Sequence, residues 1–312
     1  MLLKPVDHVE ILSIMDNSLD LLMSSVSGAT RAPIFQDSLS LPQLRAEHGV
    51  SMLITVYVNG RRDSFLFDTG ISVDGALHNL DVLEIRPTEL HAVVLSHGHT
   101  DHTGGLSGLL KRYGRRKLPI ILHPDALLKR KNIRVNGEEV YLPPPNRQDM
   151  EAEGVDVIEE RGPTLLIQEY ALITGEIDRV TSFENGFPYG YSEIDGQWES
   201  DPWIHDDQAT VINVLGKGLV VLTGCGHAGL INTIYHAMKV TGVRDIYAII
   251  GGFHLSGPIF EPIIAPTIQA LKEINPRVIA PQHCTGWRAT LEIAREFPDA
   301  FIANSVGTQF LF

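Results

Sequence analysis

The stretch VVLSHGHTDHTGGL, residues 93 to 106, constrains this chain more than any other. An apolar run leads into His97, His99, Asp101 and His102, and glycines follow at once. Ionisable groups at that density are costly in a core and have no purpose on a surface, so the pattern points to a bound ion. Val93, Val94 and Leu95 read as a strand covered on both faces, which puts the histidines at its carboxyl end. In an extended segment His97 and His99 share a face across the small Gly98. Thr100 can cap a following helix and bring Asp101 and His102 round its first turn. Imidazole and carboxylate donors suit zinc, manganese and iron alike. Surface histidines or an internal hydrogen-bond network are the plainer explanations, and neither accounts for the density at a strand end.

Strands and helices alternate around this stretch. SMLITVYVNG followed by RRDSFLFDTG reads as a hairpin turning at Asn59–Gly60, and QATVINVLGKGLVVLTGCGH as a second with Gly216–Lys217–Gly218 at its turn. IYAIIGGFHL and PRVIAPQHC are apolar strands that end in histidines. Helical spacing marks GLINTIYHAMKVTG, PIIAPTIQALKEINP and RATLEIAREFPD, each closed by Gly or Pro. Such alternation predicts a layered α/β or α+β architecture. Residues 124–205 differ: YLPPPNRQ, many charges and a Gly- and aromatic-rich run predict an insertion or lid over a site.

Composition narrows the partners. Acidic residues outnumber basic ones 38 to 25, giving a formal charge of −13, which argues against nucleic acid or an anionic membrane as a partner. The basic runs KRYGRRK (111–117) and KRKNIR (129–134) read as solvated loops, although a small anion could dock there. The chain of 312 residues has no apolar segment of transmembrane length and no signal-type leader, so a soluble, cytoplasmic protein acting on a small molecule is expected. Oligomeric state is not legible. Two cysteines, Cys225 and Cys284, are too few for a disulfide framework.

HGHTDH resembles the His-x-His-x-Asp-His motif of the metallo-β-lactamase superfamily, and FLFDTG (65–70) its earlier aspartate motif. LTGCGHAGLINTI, IIGGFHLSG, APQHCTG, IMDNSLD and EHGVSMLI further resemble the branch named for 7,8-dihydropterin-6-yl-methyl-4-(β-D-ribofuranosyl)aminobenzene 5′-phosphate synthase. The resemblance covers nearly the whole chain and implies an α+β fold: one four-layer αββα sandwich over 1–312 with a dinuclear site between its sheets. It implies two divalent ions, with zinc placed first and manganese or iron as alternatives. Residue by residue, His97 and His99 would hold one ion, Asp101 and His102 the other, with His227 and His283 as further ligands. Asp68 would orient a ligand from behind. Many members of the superfamily carry a metal-bridging aspartate where this chain has Cys225, so either His227 substitutes for it, Cys225 gives a thiolate donor, or Cys225 is a buried inert side chain. No Gly-His-Thr motif precedes the second hairpin; WIHDDQATV (203–211) offers His205, Asp206 or Asp207 instead. His254 could bind metal, touch substrate or shuttle protons, and with Asp101 is a catalytic candidate. His48, His123 and His236 have less support and are left outside the site.

The implied activity is that of a metal-dependent hydrolase activating water against a small anionic ester or phosphoester. The branch name implies an alternative, a transferase joining a pterin diphosphate to an aminobenzene riboside phosphate. A non-catalytic metal-bound ligand sensor is a third reading, disfavoured by the complete His/Asp cluster. No serine elbow or phosphate loop supports covalent catalysis. The aromatics Phe183, Phe187, Tyr189, Tyr191, Trp198 and Trp203 would either pack as a satellite core or cover substrate, with Trp203 the substrate-lid residue.

Overall fold

A computed structural model describes all residues except 1, 34, 37–38, 41, 87–89, 114–117 and 135, with side chains 35–36 and 39–40 also left aside. Among the described residues the fold is built on two large sheets, of eight and seven strands. The first runs Val157–Glu159, Ile120–Leu122, Leu90–Val94, Arg61–Phe67, Ser51–Val58, His8–Met15, Gln309–Leu311, Ala29–Thr30. The second runs Thr164–Leu166, Ala171–Ile173, Ala209–Val214, Gly218–Thr223, Ile246–Gly252, Val278–Gln282, with Pro5–Val6 alongside Ala209–Val214.

Period-two alternation explains why these strands read as continuous apolar runs. Phe65 and Phe67 face the opposite sheet while Leu66 faces outward; Val220 and Leu222 face inward while Leu219 and Val221 face helices. The outer face of the seven-stranded sheet is covered by Leu230–Thr241, Ile264–Ile274 and Trp287–Glu296. Gly75–Val82 and Leu106–Tyr113 cover the other. The result is the expected four layers, helix, sheet, sheet, helix. Both hairpins form where the turn residues put them, with Asn59 and Gly60 both in the left-handed region, at φ 51° and 77°.

Residues 124–205 do not form one unit. Val157–Glu159 joins the first sheet, Thr164–Leu166 and Ala171–Ile173 the second. A separate four-stranded sheet, Glu139–Leu142, Arg130–Ile133, Gly190–Ile194, Gln197–Ser200, makes up much of the remainder. The expectation of a solvated loop at 129–134 is corrected here. Arg130 and Lys131 lie buried in a strand, Arg130 paired with Asp206 at 2.7 Å and Lys131 with Glu139 at 2.7 Å. A polar run hides such a strand, because its charges are neutralised by acids outside it, Glu139 on the adjoining strand eight residues on and Asp206 76 residues away. Lys111–Tyr113 end a helix, and the rest of the other basic run lies outside the described residues.

Candidate metal centre

Parallel strands from both sheets end at one rim. Arg61–Phe67 and Leu90–Val94 deliver Asp68 and the His97–His102 loop from one side. Gly218–Thr223, Ile246–Gly252 and Val278–Gln282 deliver Cys225 with His227, His254 and His283 from the other. Close backbone packing fixes the loop: a Cβ on Gly98 would lie 2.1 Å from the Ala126 carbonyl oxygen, and Asp206 accepts the Gly98 amide at 2.7 Å.

Among the described residues three donor groups result. His97, His99 and His227 form one; Asp101, His102, Cys225 and His283 a second; Cys225, His227 and His254 a third, with the atoms of each within 4.8 Å of one another. These groups could hold metal ions. The six residues expected as ligands are thus brought together.

Hydrogen bonding around the site dictates where the imidazole lone pairs point. Asp68, fully buried at φ 60°, accepts from the Ser96 amide and the Ser96 hydroxyl, each at 2.7 Å. It also accepts from His102 Nδ1 at 2.7 Å. Since the Ser96 hydroxyl donates to Asp68, it can only accept from His97 Nδ1 at 2.9 Å, which leaves His97 Nε2 a bare lone pair. That nitrogen sits 3.0 Å from His99 Nδ1, which in turn lies 3.2 Å from His227 Nε2. His283 Nδ1 donates to Asn17 Oδ1 at 2.9 Å, so its Nε2 turns a lone pair toward Asp101 Oδ2 at 3.1 Å. His97 Nε2 and His283 Nε2 thus turn lone pairs into a cluster that also holds His99, His227 and the Asp101 carboxylate, and this donor set fits a transition metal.

Electrostatics agrees. Burial, reinforced by neighbouring imidazoles, drives His97 and His227 well below the usual histidine range, and burial takes His99 to about 4, so all three are neutral, ligating forms. Burial opposes charge on His102 too, but the carboxylates of Asp68 and Asp101 outweigh it and raise its pKa to about 9. Asp101 resists the burial that would raise its pKa: the His102 imidazole beside it holds it below the usual carboxylate range.

The remaining expected residues have other places. Asp207 is not in a donor group; its Oδ2 accepts the Ala228 amide at 2.8 Å, behind the His227 loop, and burial raises its pKa to about 6. Asp206 is taken by Arg130 and Gly98, and His205 is exposed and pairs with Glu176. Trp203 is half-buried, its ring under the Arg179 guanidinium and its carbonyl accepting from the same arginine. Arg179 also donates to the His227 carbonyl at 3.0 Å. His254, at φ 46°, lies 4.1 Å from the His227 ring and 4.4 Å from the Phe260 ring, on which Phe187 stacks. Phe183, Pro188 and Phe260 wall a cavity of about 260 Å³ that His227 and His254 open into.

Sequence reasoning missed Asp16, Asn17 and His48. Asp16 Oδ1 accepts the His283 amide at 2.9 Å, and Asn17 sets the His283 ring as described. His48, exposed, stands with Nε2 3.5 Å from Asp101 Oδ2 and its ring 4.6 Å from that of His283. The runs IMDNSLD and EHGVSMLI carried these residues, but only their resemblance signalled them.

Parallel strand ends here gather donor groups that could hold metal at one rim of a two-sheet sandwich, and the chain belongs to the metallo-β-lactamase superfamily, whose model matches residues 45–231. It is 32% identical over 261 residues, 82% of this chain and 87% of the relative, to 7,8-dihydropterin-6-methyl-4-(β-D-ribofuranosyl)-aminobenzene-5′-phosphate synthase of Methanocaldococcus jannaschii. Among solved structures, Tm1679, described as a metal-dependent hydrolase of the β-lactamase superfamily, superposes with a TM-score of 0.71 at 25% identity, covering 97% of this chain and 98% of that one. The metallo-β-lactamase fold protein YhfI from Bacillus subtilis shares the fold at a TM-score of 0.56 and 15% identity, covering 98% of this chain and 100% of that one.

Proposed function

We propose that this protein is a metal-dependent hydrolase that holds two divalent ions and cleaves an ester or phosphoester bond in a small anionic substrate. His97, His99 and His227 would hold one ion; Asp101, His102 and His283 the other. The observation that carries the reading is the convergence of the His97 and His283 lone pairs with the His99 and His227 rings and the Asp101 carboxylate in a buried cleft. When bound, the ions supply Lewis acidity and activate water. The chain's own residues do the rest. Asp68 and Ser96 fix the tautomers of His97 and His102, Asn17 fixes that of His283, and His48 stands at the exposed edge of the cleft where it can exchange a proton with a leaving group. The aromatic wall beside His254 would receive the apolar part of the substrate and exclude water.

A second reading is favoured by the 32% identity to the archaeal synthase. In it the same cleft would join a dihydropterin unit to an aminobenzene riboside phosphate, and the ring of the pterin would suit the Phe183–Phe260 wall. The test is metal analysis followed by parallel assays of phosphodiesters, phosphomonoesters, lactones and thioesters beside a pterin diphosphate with its aryl acceptor. Turnover with water as sole acceptor supports the hydrolase; product only when both pterin and acceptor are present supports the synthase. Absence of bound transition metal in protein purified without chelator, and after incubation with zinc, would overturn both.

A further inference from the structure

Cys225 occupies the point where two of the three donor groups overlap. Its sulfur belongs both to the group with Asp101, His102 and His283 and to the group with His227 and His254. The side chain is 3% exposed, and its Sγ lies 3.1 Å from His102 Nε2, the nitrogen left facing the cleft once Nδ1 is committed to Asp68. Its backbone is pinned on two sides. A Cβ on Gly224 would meet the Ser96 hydroxyl at 2.1 Å and Asp68 Oδ2 at 2.8 Å, and a Cβ on Gly252 would meet the Gly224 carbonyl oxygen at 2.4 Å. Cys225 is therefore held against the Asp68–Ser96–His102 network. The other thiol has a different place: Cys284 Sγ donates to the Cys225 carbonyl oxygen at 3.3 Å and is absent from every donor group among the described residues.

Resting on the two-ion reading above, we propose that Cys225 is a metal ligand, its thiolate joining Asp101, His102 and His283 as a donor to the second ion, which makes this a mixed imidazole, carboxylate and sulfur centre. On binding, the S–H bond breaks, a sulfur–metal bond forms and the proton leaves to solvent, with no change of oxidation state. A thiolate donor favours zinc, cobalt or iron(II) over magnesium and manganese, so the inference also narrows the metal.

The test is cobalt(II) substitution of the full chain, read by absorption and by bound cobalt per chain. A near-ultraviolet sulfur-to-cobalt charge-transfer band is expected in the parent protein and in Cys284→Ser, and its loss in Cys225→Ser. With two cysteines in the chain, the band in Cys284→Ser identifies Cys225 even if Cys225→Ser fails to fold. Cobalt bound without the band, or a band lost in Cys284→Ser and kept in Cys225→Ser, would overturn the sulfur ligand and leave the metal centre standing. No cobalt bound at all would overturn both.

Discussion

Asp68 must be a carboxylate because three donors converge on it, the Ser96 amide, the Ser96 hydroxyl and His102 Nδ1, all at 2.7 Å. Asparagine has one acceptor oxygen and would turn an N–H toward one of them. Asp68→Asn should therefore keep most of the metal, which it does not touch, and lose about 10- to 100-fold in activity as the His102 ring loses its orientation. Parent-like turnover in that variant would show that the contact does not tune the site. His48 tests a different role. It is exposed and belongs to no donor group, so His48→Ala should leave metal content unchanged and lower turnover about 100-fold if it relays a proton. Equal turnover would reduce it to a bystander. These residues also mark the limit of what the sequence discloses. His97, His99, Asp101 and His102 announce themselves because they are crowded into one loop. Asp16 and Asn17 do not, because His283, whose amide the one and whose ring the other holds, lies 267 and 266 residues away and nothing local marks the pair.

At the level of elements, strands buried on both faces were legible as unbroken apolar runs, and turns were legible from Asn59–Gly60 and Gly216. The strand Arg130–Ile133 was not, since its pattern of charges matches a solvated loop until Glu139 on the adjoining strand pairs with Lys131 and the distant Asp206 with Arg130. The same pairing joins the small sheet to the metal loop: Asp206 bridges Arg130 to the Gly98 amide. Gly98→Ala puts a methyl 2.1 Å from the Ala126 carbonyl, and backbone cannot yield as a side chain does. A loss of about 1–3 kcal/mol in unfolding free energy is expected, with a parallel loss of bound metal. Denaturant titration and metal analysis check it, and unchanged values in both would show that the loop adapts. Residues 178–207 grip the His227 loop from behind through Arg179, Asp207 and Glu184, the last accepting the Ile231 and Asn232 amides at 2.8 Å. Trp203 packs on that Arg179. We expect Trp203→Ala to weaken substrate binding more than metal binding, and tryptophan fluorescence to respond to ligand. Unchanged kinetics with silent fluorescence would assign the segment to packing alone.

For the whole molecule, the two sheets bring buried imidazoles of opposite electrostatic character into one cleft, and this sets how the metal-free protein responds to pH. His99, with pKa about 4, and His97 and His227, also depressed, are neutral when folded, whereas the unfolded chain takes up their protons near 6.5. Each unit of depression is worth about 1.4 kcal/mol, so their contribution is whole above pH 6.5 and falls away as the pH drops toward 4. His102 works in reverse. Raised to about 9, it contributes fully below 6.5 and loses that contribution as the pH climbs through 9. Asp207, raised to about 6, also favours the acid side, its contribution fading as the pH rises from about 4 through 6. Below 6.5 His102 has nothing further to give, and the carboxyls raised by burial, Asp16, Glu184 and Asp207, stand against the depressed imidazoles of His48, His97, His99, His123 and His227 together with the depressed Asp101. The chelated protein should therefore lose melting temperature steadily between pH 6.5 and 4. Bound zinc should raise the melting temperature at pH 7.5 and do so less as the pH falls, because protons and metal compete for the same nitrogens. Calorimetry of chelated and zinc-loaded protein across that range decides it: a flat melting temperature in the chelated form would mean that these imidazoles are not held neutral by the fold.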